Sequence, residues 1–215
     1  MTRSNAGRGA LFAGLAALSV LMAGCGSLPF IGAESRREAR EAAAAEPALP
    51  AEAVQQFERA VTLMSSGELA AAEQAFRALA DAYPTYSGPL LNLGILHAKA
   101  GKLEQAEQEI RDAIARNGNN AAAFNQLGIL HRRQGRFEEA DQAYTRAVQI
   151  DPNYALAWLN LGVLCDLYLQ QPERALEAFE RYQSLASEPD AQVNIWISEL
   201  KKRIGTEPRS ASTAE

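Results

Sequence analysis

Histidine is almost missing from this chain of 215 residues: only His97 and His131 occur. General acid–base and metal chemistry are therefore short of their commonest side chain. Cysteine is as scarce. Cys25 and Cys165 cannot make the disulfide framework that staples small secreted domains. Positive charge is in deficit too: 21 Lys and Arg against 26 Asp and Glu leave a net charge of −5, the opposite of the basic balance common in nucleic-acid binders. No phosphate-cradling glycine loop, nucleophile elbow or metalloprotease helix occurs. The glutamates are read as solvated, on helix faces with arginines nearby. These absences argue against catalysis: no catalytic residues, no cofactor, no small-molecule substrate and no nucleic-acid partner are expected. Aromatic residues make up only 7% of a chain that is 47% hydrophobic. The apolar share is thus largely alanine and leucine, a mix that favours helix.

What is present is a repeat, clearest over residues 121–154. Phe124, Leu127, Gly128 and His131 fall at i, i+3, i+4 and i+7, which predicts an amphipathic helix over about 121–134. Gly135 follows. Phe137, Ala140, Tyr144, Ala147 and Val148 mark one face of a second helix over about 137–150, and Asp151-Pro152 ends it. Small residues at Gly128, Ala140 and Ala147 let two antiparallel helices approach closely, with Phe124, Leu127 and Tyr144 filling the space around them. The unit resembles the tetratricopeptide repeat, a helix–turn–helix of about 34 residues. Phe124, Leu127, Gly128, Ala140, Tyr144, Ala147 and Pro152 match its signature. The resemblance implies an all-α solenoid of antiparallel helix pairs, since one pair cannot bury its apolar faces alone.

The same register extends in both directions. Repeats are expected at about 53–86, 87–120, 121–154 and 155–189, within a domain spanning 53–204. In the first, Gln56, Arg59 and Ala60 replace Phe124, Leu127 and Gly128, as suits a terminal repeat facing solvent. In the second, Gly118 replaces the closing proline within an Asn117-Gly118-Asn119 turn. In the fourth, the register slips by one after Cys165. An extended first helix is expected there, with Pro172 opening the second. A last helix over 190–204, striped by Val193, Trp196, Ile197, Leu200 and Ile204, is expected to cap the array, with Asp190 as N-cap and Gly205 as its stop. Residues 205–215 read as a disordered polar tail. His97, His131 and Cys165 share one slot in successive repeats. A shared metal ion is excluded by the stacking distance of about 10 Å, so packing is the preferred reading and no metal is expected.

The N-terminus carries a different message. Arg3 and Arg8 precede an apolar run from Ala10 to Ala23, too short to be read as a spanning helix. It ends Leu21-Met22-Ala23-Gly24-Cys25. This resembles the bacterial lipobox, although Met22 departs from the more usual leucine. The resemblance implies a signal peptide over 1–24, cleavage before Cys25, and lipidation of that cysteine, with palmitate among the acyl chains. An ordinary signal peptide with a free cysteine and an uncleaved anchor are the alternatives. Gly26, in place of the aspartate that retains such proteins in the inner membrane, implies the outer membrane, facing the periplasm. Residues 25–52 then form the lipidated cysteine and a flexible tether punctuated by Pro29, Pro47 and Pro50. Loss of Arg3 and Arg8 with the signal takes the side-chain charge from −5 to −7.

With chemistry set aside, the concave groove is the expected functional surface. The family lines it with the first helix of each repeat. Here that implies Leu91, Asn92, Ile95 and Lys99, then Asn125, Gln126, Ile129, Arg132 and Arg133, then Leu159, Asn160 and Val163. The aliphatic members would be costly to expose together without a partner. Asn92, Gln126 and Asn160 would hydrogen-bond a peptide backbone, and Lys99, Arg132 and Arg133 would attract a carboxylate, although the helix dipole also accounts for cations at these positions. The Lys/Arg/Asn set with which chaperone-binding members clamp a C-terminal carboxylate does not occur. The expected function is that of a lipid-anchored adaptor holding a protein or peptide partner within a bacterial cell-envelope assembly. The C-terminal part resembles repeat proteins that accompany TonB-type systems. Pilotins for type IV pilus secretins and adaptors for peptidoglycan hydrolases are alternatives.

Overall fold

A computed structural model describes residues 49–206. The expected signal peptide, Cys25, most of the tether and most of the C-terminal tail lie outside the described residues. Nine helices and no strand occur among those described: α1 Ala51–Ser65, α2 Leu69–Ala82, α3 Gly88–Lys99, α4 Leu103–Arg116, α5 Ala121–Arg133, α6 Phe137–Ile150, α7 Ala155–Leu167, α8 Pro172–Leu185 and α9 Ala191–Thr206. They form four antiparallel pairs and one unpaired helix, each packed on its neighbours in sequence. Contacts between alternate helices join first helices, α3 with α5 and α5 with α7. First helices therefore line the inner side of the array.

Each pair closes on a small residue. A Cβ built on Gly128 would lie 2.6 Å from Tyr144, one on Gly162 2.6 Å from Phe179, and one on Gly94 2.6 Å from Ile110. Only a missing side chain permits such approach. In the first repeat Ala60 takes this place, fully buried beside buried Phe76, while Gln56 and Arg59 face solvent.

The turns repeat as strictly. Gly67, Gly101 and Gly135 have positive φ. The amide of the next residue donates back to the slot residue: Glu68 N to Leu63 O, Lys102 N to His97 O and Arg136 N to His131 O, each 2.9 Å. This is the six-to-one bond that ends a helix on a left-handed residue. The fourth repeat corrects the sequence reading. α7 ends at Leu167, with as many residues as α5, so its first helix is not extended. The additional residue is taken up in the turn: Gln171 N donates to Cys165 O at 2.9 Å, and Gln170 adopts the left-handed conformation at φ 53°. A non-glycine residue thus stands where three glycines stand earlier.

The last described helix, α9, repeats the slots of a first helix. Val193, Ser198, Leu200 and Lys201 of α9 occupy the slots of Ala157, Gly162, Leu164 and Cys165 in α7. Val193 and Leu200, which face the preceding helix pair, are buried; Ser198 and Lys201, at which a second helix would dock, are exposed. Asp190 caps α9, accepting from the amides of Gln192 and Val193 at 2.9 and 3.2 Å. Gly205 does not stop the helix, which runs to Thr206. Lys201 pairs with Glu180 of α8, and Arg203 with Asp166 of α7, so two cations near the end of α9 tie it to the array.

Candidate partner-binding groove

The inner face is built from residues spaced along each first helix at i, i+3 or i+4, and i+7. Between α3 and α5 these residues enclose a groove of about 340 Å³ lined by Ile95, Ala98, Lys99, Ile110, Gln126, Ile129, Leu130 and Arg133. Five of the expected residues, Ile95, Lys99, Gln126, Ile129 and Arg133, come together in it. Leu159 and Val163 are half-buried in the same apolar cluster as Ile129, which carries the apolar floor into the fourth repeat.

Two expected residues do not line an open surface. Leu91 is buried in the core between repeats two and three. Asn125 is 2% exposed. Its amide donates to the Tyr154 hydroxyl at 3.4 Å, and its oxygen accepts from Asn160 Nδ2 at 3.0 Å. The next first helix covers this slot, which no sequence spacing within one helix reveals. The same bonds commit the Asn160 amide to the chain itself, and Asn92 Nδ2 is committed to Gly88 O at 2.9 Å. Of the three amides expected to meet a peptide backbone, Gln126 alone makes no side-chain hydrogen bond among the described residues.

The cations divide as well. Arg133 donates from Nη1 to Ala98 O at 2.9 Å, bracing the last turn of α3, while the rest of its guanidinium stays exposed. Lys99 is exposed and Arg132 half-buried, and neither forms an ion pair among the described residues. Lys99 and Arg133 occupy equivalent slots on neighbouring helices, so one rim of the groove is positive.

A buried charge cluster escaped the sequence reading. Glu109, expected on a solvated face, is 8% exposed. Its Oε2 lies 2.5 Å from His97 Nδ1, and its Oε1 3.8 Å from Arg77. His97 Nε2 stands 3.4 Å from Glu73 Oε1 without hydrogen-bond geometry. Burial raises the Glu73 carboxyl, but the Arg77 hydrogen bond and His97 together hold it below its ordinary value. In the next repeat Ala143 stands at the Glu109 position. Burial first, then Arg136, pushes the His131 imidazole below its ordinary value. Nearby, Glu107 is held down at about 2: burial acts to raise it, and the Arg136 and Arg111 hydrogen bonds override that. Burial pushes the Cys165 thiol up to about 11, so it stays protonated and is a poor nucleophile or metal ligand. Among the described residues no group of three metal-ligating side chains is arranged to hold a metal ion. The shared slot holds packed side chains, each in different surroundings.

Comparison with known proteins agrees with this geometry. Residues 91–155 match the family model described as tetratricopeptide repeat. Residues 124–202 also match a model described as anaphase-promoting complex subunit 5, from α5 into α9. No curated protein sequence matches the chain. Among solved structures, pilF of Pseudomonas aeruginosa is 22% identical with a TM-score of 0.64, covering 78% of this chain and 71% of that one. MamA is 22% identical at a TM-score of 0.58, covering 68% and 84%. A thermophilic tetratricopeptide repeat protein of Thermus thermophilus is 20% identical at 0.56, covering 71% and 83%. Residues 49–206 thus share the fold of these structures, an all-α solenoid of antiparallel helix pairs, and residues 91–155 within it match the tetratricopeptide repeat.

Proposed function

We propose that the chain is a non-catalytic adaptor, tethered to a bacterial envelope membrane through a lipidated Cys25, whose inner face holds a partner protein. The groove between α3 and α5 carries this reading, since it brings aliphatic side chains, one uncommitted amide and two exposed cations to a single concave surface. Apolar burial supplies affinity at roughly 25 cal/mol per Å² before ordering costs. Lys99 and Arg133 add attraction to acidic residues, which salt weakens.

Crosslinking and pull-down from native membranes tests the face. Ile129→Glu places a charge on the groove floor and should abolish capture of the partner in a folded protein. Glu139→Lys, on the outer face, should leave capture intact. The opposite pattern would place the partner elsewhere. The tether is tested separately. The several acyl chains of a bacterial lipoprotein should hold it stably where one chain would not. Cys25→Ala should therefore release the processed chain from the membrane fraction, and a variant retained as firmly as wild type without unprocessed precursor sinks lipidation. The sequence resemblance to repeat proteins of TonB-type systems favours such an assembly. Co-purification with a secretin ring would instead favour a pilotin, and with an endopeptidase a hydrolase adaptor.

A further inference from the structure

We propose that the C-terminal half of the inner face, the stripe of α7 with Ile195 of α9, takes the apolar side of an amphipathic helix of a partner protein, whose acidic end lies toward Lys99 and Arg133. This rests on the groove reading above and names the chemistry of the occupant.

The inner-face slots change character along the array. The slot of Lys99 in α3 and Arg133 in α5 holds Leu167 in α7, which is 67% exposed. The slot of Gly88 and Ala122 holds Leu156, 55% exposed. With half-buried Leu159 and Val163 between them, α7 presents an aliphatic stripe about 16 Å long at 1.5 Å per residue. α9 adds one side chain to this surface: Ile195, in the slot of Leu159, is 51% exposed, while Glu199 and Arg203 take the slots of Val163 and Leu167. Large aliphatic side chains so placed are unusual on a surface without a partner. One repeat away the rim is cationic, so the apolar stripe of α7 lies beside the positive rim of Lys99 and Arg133.

Three features point to a helix. The Asn92 and Asn160 amides are spent on Gly88 and Asn125. An extended peptide would find few partners for its backbone, whereas a helix satisfies its own. Neighbouring first helices lie about 10 Å apart, and side chains seven residues apart on a helix are separated by nearly the same distance. Acidic residues are best tolerated in the first turn of a helix, so the N-terminal end of the occupant faces Lys99 and Arg133.

The test uses the full chain and a labelled synthetic peptide of about five helical turns. The peptide carries leucines at i, i+4, i+7 and i+11 and glutamates in its first turn. Fluorescence anisotropy should show saturable binding, weakened at least tenfold by Leu156→Glu or Leu167→Glu, both exposed positions that leave folding intact. Lys99→Glu with Arg133→Glu should weaken binding severalfold and remove most of its salt dependence. A photo-crosslinker at the acidic end should label α3 and α5, and one at the apolar end α7 and α9. Equal binding by a peptide with scrambled leucines, or by one with a central proline, overturns the inference. So does a wild-type dimer that Leu167→Glu dissociates, since the stripe would then cover a second copy. If Ile129→Glu abolishes capture of the native partner while both leucine variants retain it, the groove reading stands and this one fails. If all three retain it, both fail.

Discussion

Gly128→Leu isolates the contact on which the helix pairs depend. A Cβ at Gly128 would already stand 2.6 Å from Cδ1 and Cε1 of Tyr144, about 1 Å inside the usual separation of nonbonded carbons. The Tyr144 ring is fully buried among neighbours from α6 and α7 and has no solvent side to swing toward. Burial also holds its hydroxyl up at about 12, so it stays neutral and offers no escape through ionisation. Alanine here would gain up to about 1 kcal/mol of helix propensity against that overlap. Leucine gains less of it and adds three more carbons to a filled space. Overpacking of this kind costs about 1–3 kcal/mol and occasionally more, and the upper figure applies because ring and helix backbone would both have to move. In a domain of this size about 3 kcal/mol lowers Tm by roughly 6–12 °C.

Thermal and urea unfolding of residues 49–206, followed by circular dichroism, measure the effect. A partner substitution decides the cause: Tyr144→Ala alone opens a cavity and destabilises, but combined with Gly128→Leu it should cost less than the sum, with a coupling of about 1 kcal/mol or more. Gly128→Leu melting with wild type, or strictly additive substitutions, would refute the close-approach reasoning. Ala60 sets the boundary of the claim. The first repeat carries a methyl in the same slot against Phe76, so that slot accommodates alanine in the first pair.

Three further outcomes are expected. Glu109→Ala should cost about 3 kcal/mol in urea unfolding, because it strips a buried carboxylate from His97; a loss below about 0.5 kcal/mol would show that the cluster contributes nothing. Stability should fall on acidification in two windows, since His131, Glu73 and Glu107 are all lowered in the folded state and the unfolded chain therefore binds more protons. The His131 contribution is complete above its ordinary value of about 6.5 and lost as pH falls toward its folded value, so His131→Phe should flatten that window. The carboxylate contribution is complete above about 4.5 and, for Glu107, lost as pH falls to about 2. Gln170→Gly should raise stability by about 0.5–1 kcal/mol, because Gln170 holds a left-handed conformation at φ 53° that glycine adopts freely; a loss in urea unfolding would show that its side chain matters more than its backbone.

The elements that could be read from sequence were those fixed by contacts inside one repeat. Gly128 with Tyr144, and the glycine turn with its helix stop, are local and recur from one repeat to the next. What escaped depends on the neighbouring repeat. Asn125 and Leu91 have the spacing of an inner face, but the next first helix covers them. Glu109 has the look of a solvated glutamate: it meets His97 within its own repeat, and the neighbouring repeat adds Arg77 beside it and Glu73 beside His97. The slipped register of the fourth repeat was visible, but not its location: a helix can lengthen or a turn can absorb the residue, and the Cys165 carbonyl decides for the turn by accepting from Gln171.

The same distinction explains where specificity resides in this array. A slot facing the partner helix of its own pair is held by close contact, so its occupants vary little: Ala60, Gly94, Gly128, Gly162, and then Ser198 in α9, which pairs with no second helix among the described residues. A slot on the inner face meets no such contact, and its occupants run Ile95, Ile129, Val163 and Glu199, or Lys99, Arg133, Leu167 and Arg203. Packing tolerates any of these, because the side chains end in solvent or in a shallow groove. The first series therefore builds one curved scaffold whatever it binds. The second is free to differ between repeats at little cost in stability, since exposed substitutions commonly change it by no more than about 0.5 kcal/mol. The fold does not require Leu167 where Lys99, Arg133 and Arg203 stand on the other helices, and the proposed partner helix would cover it together with Leu156 and Ile195.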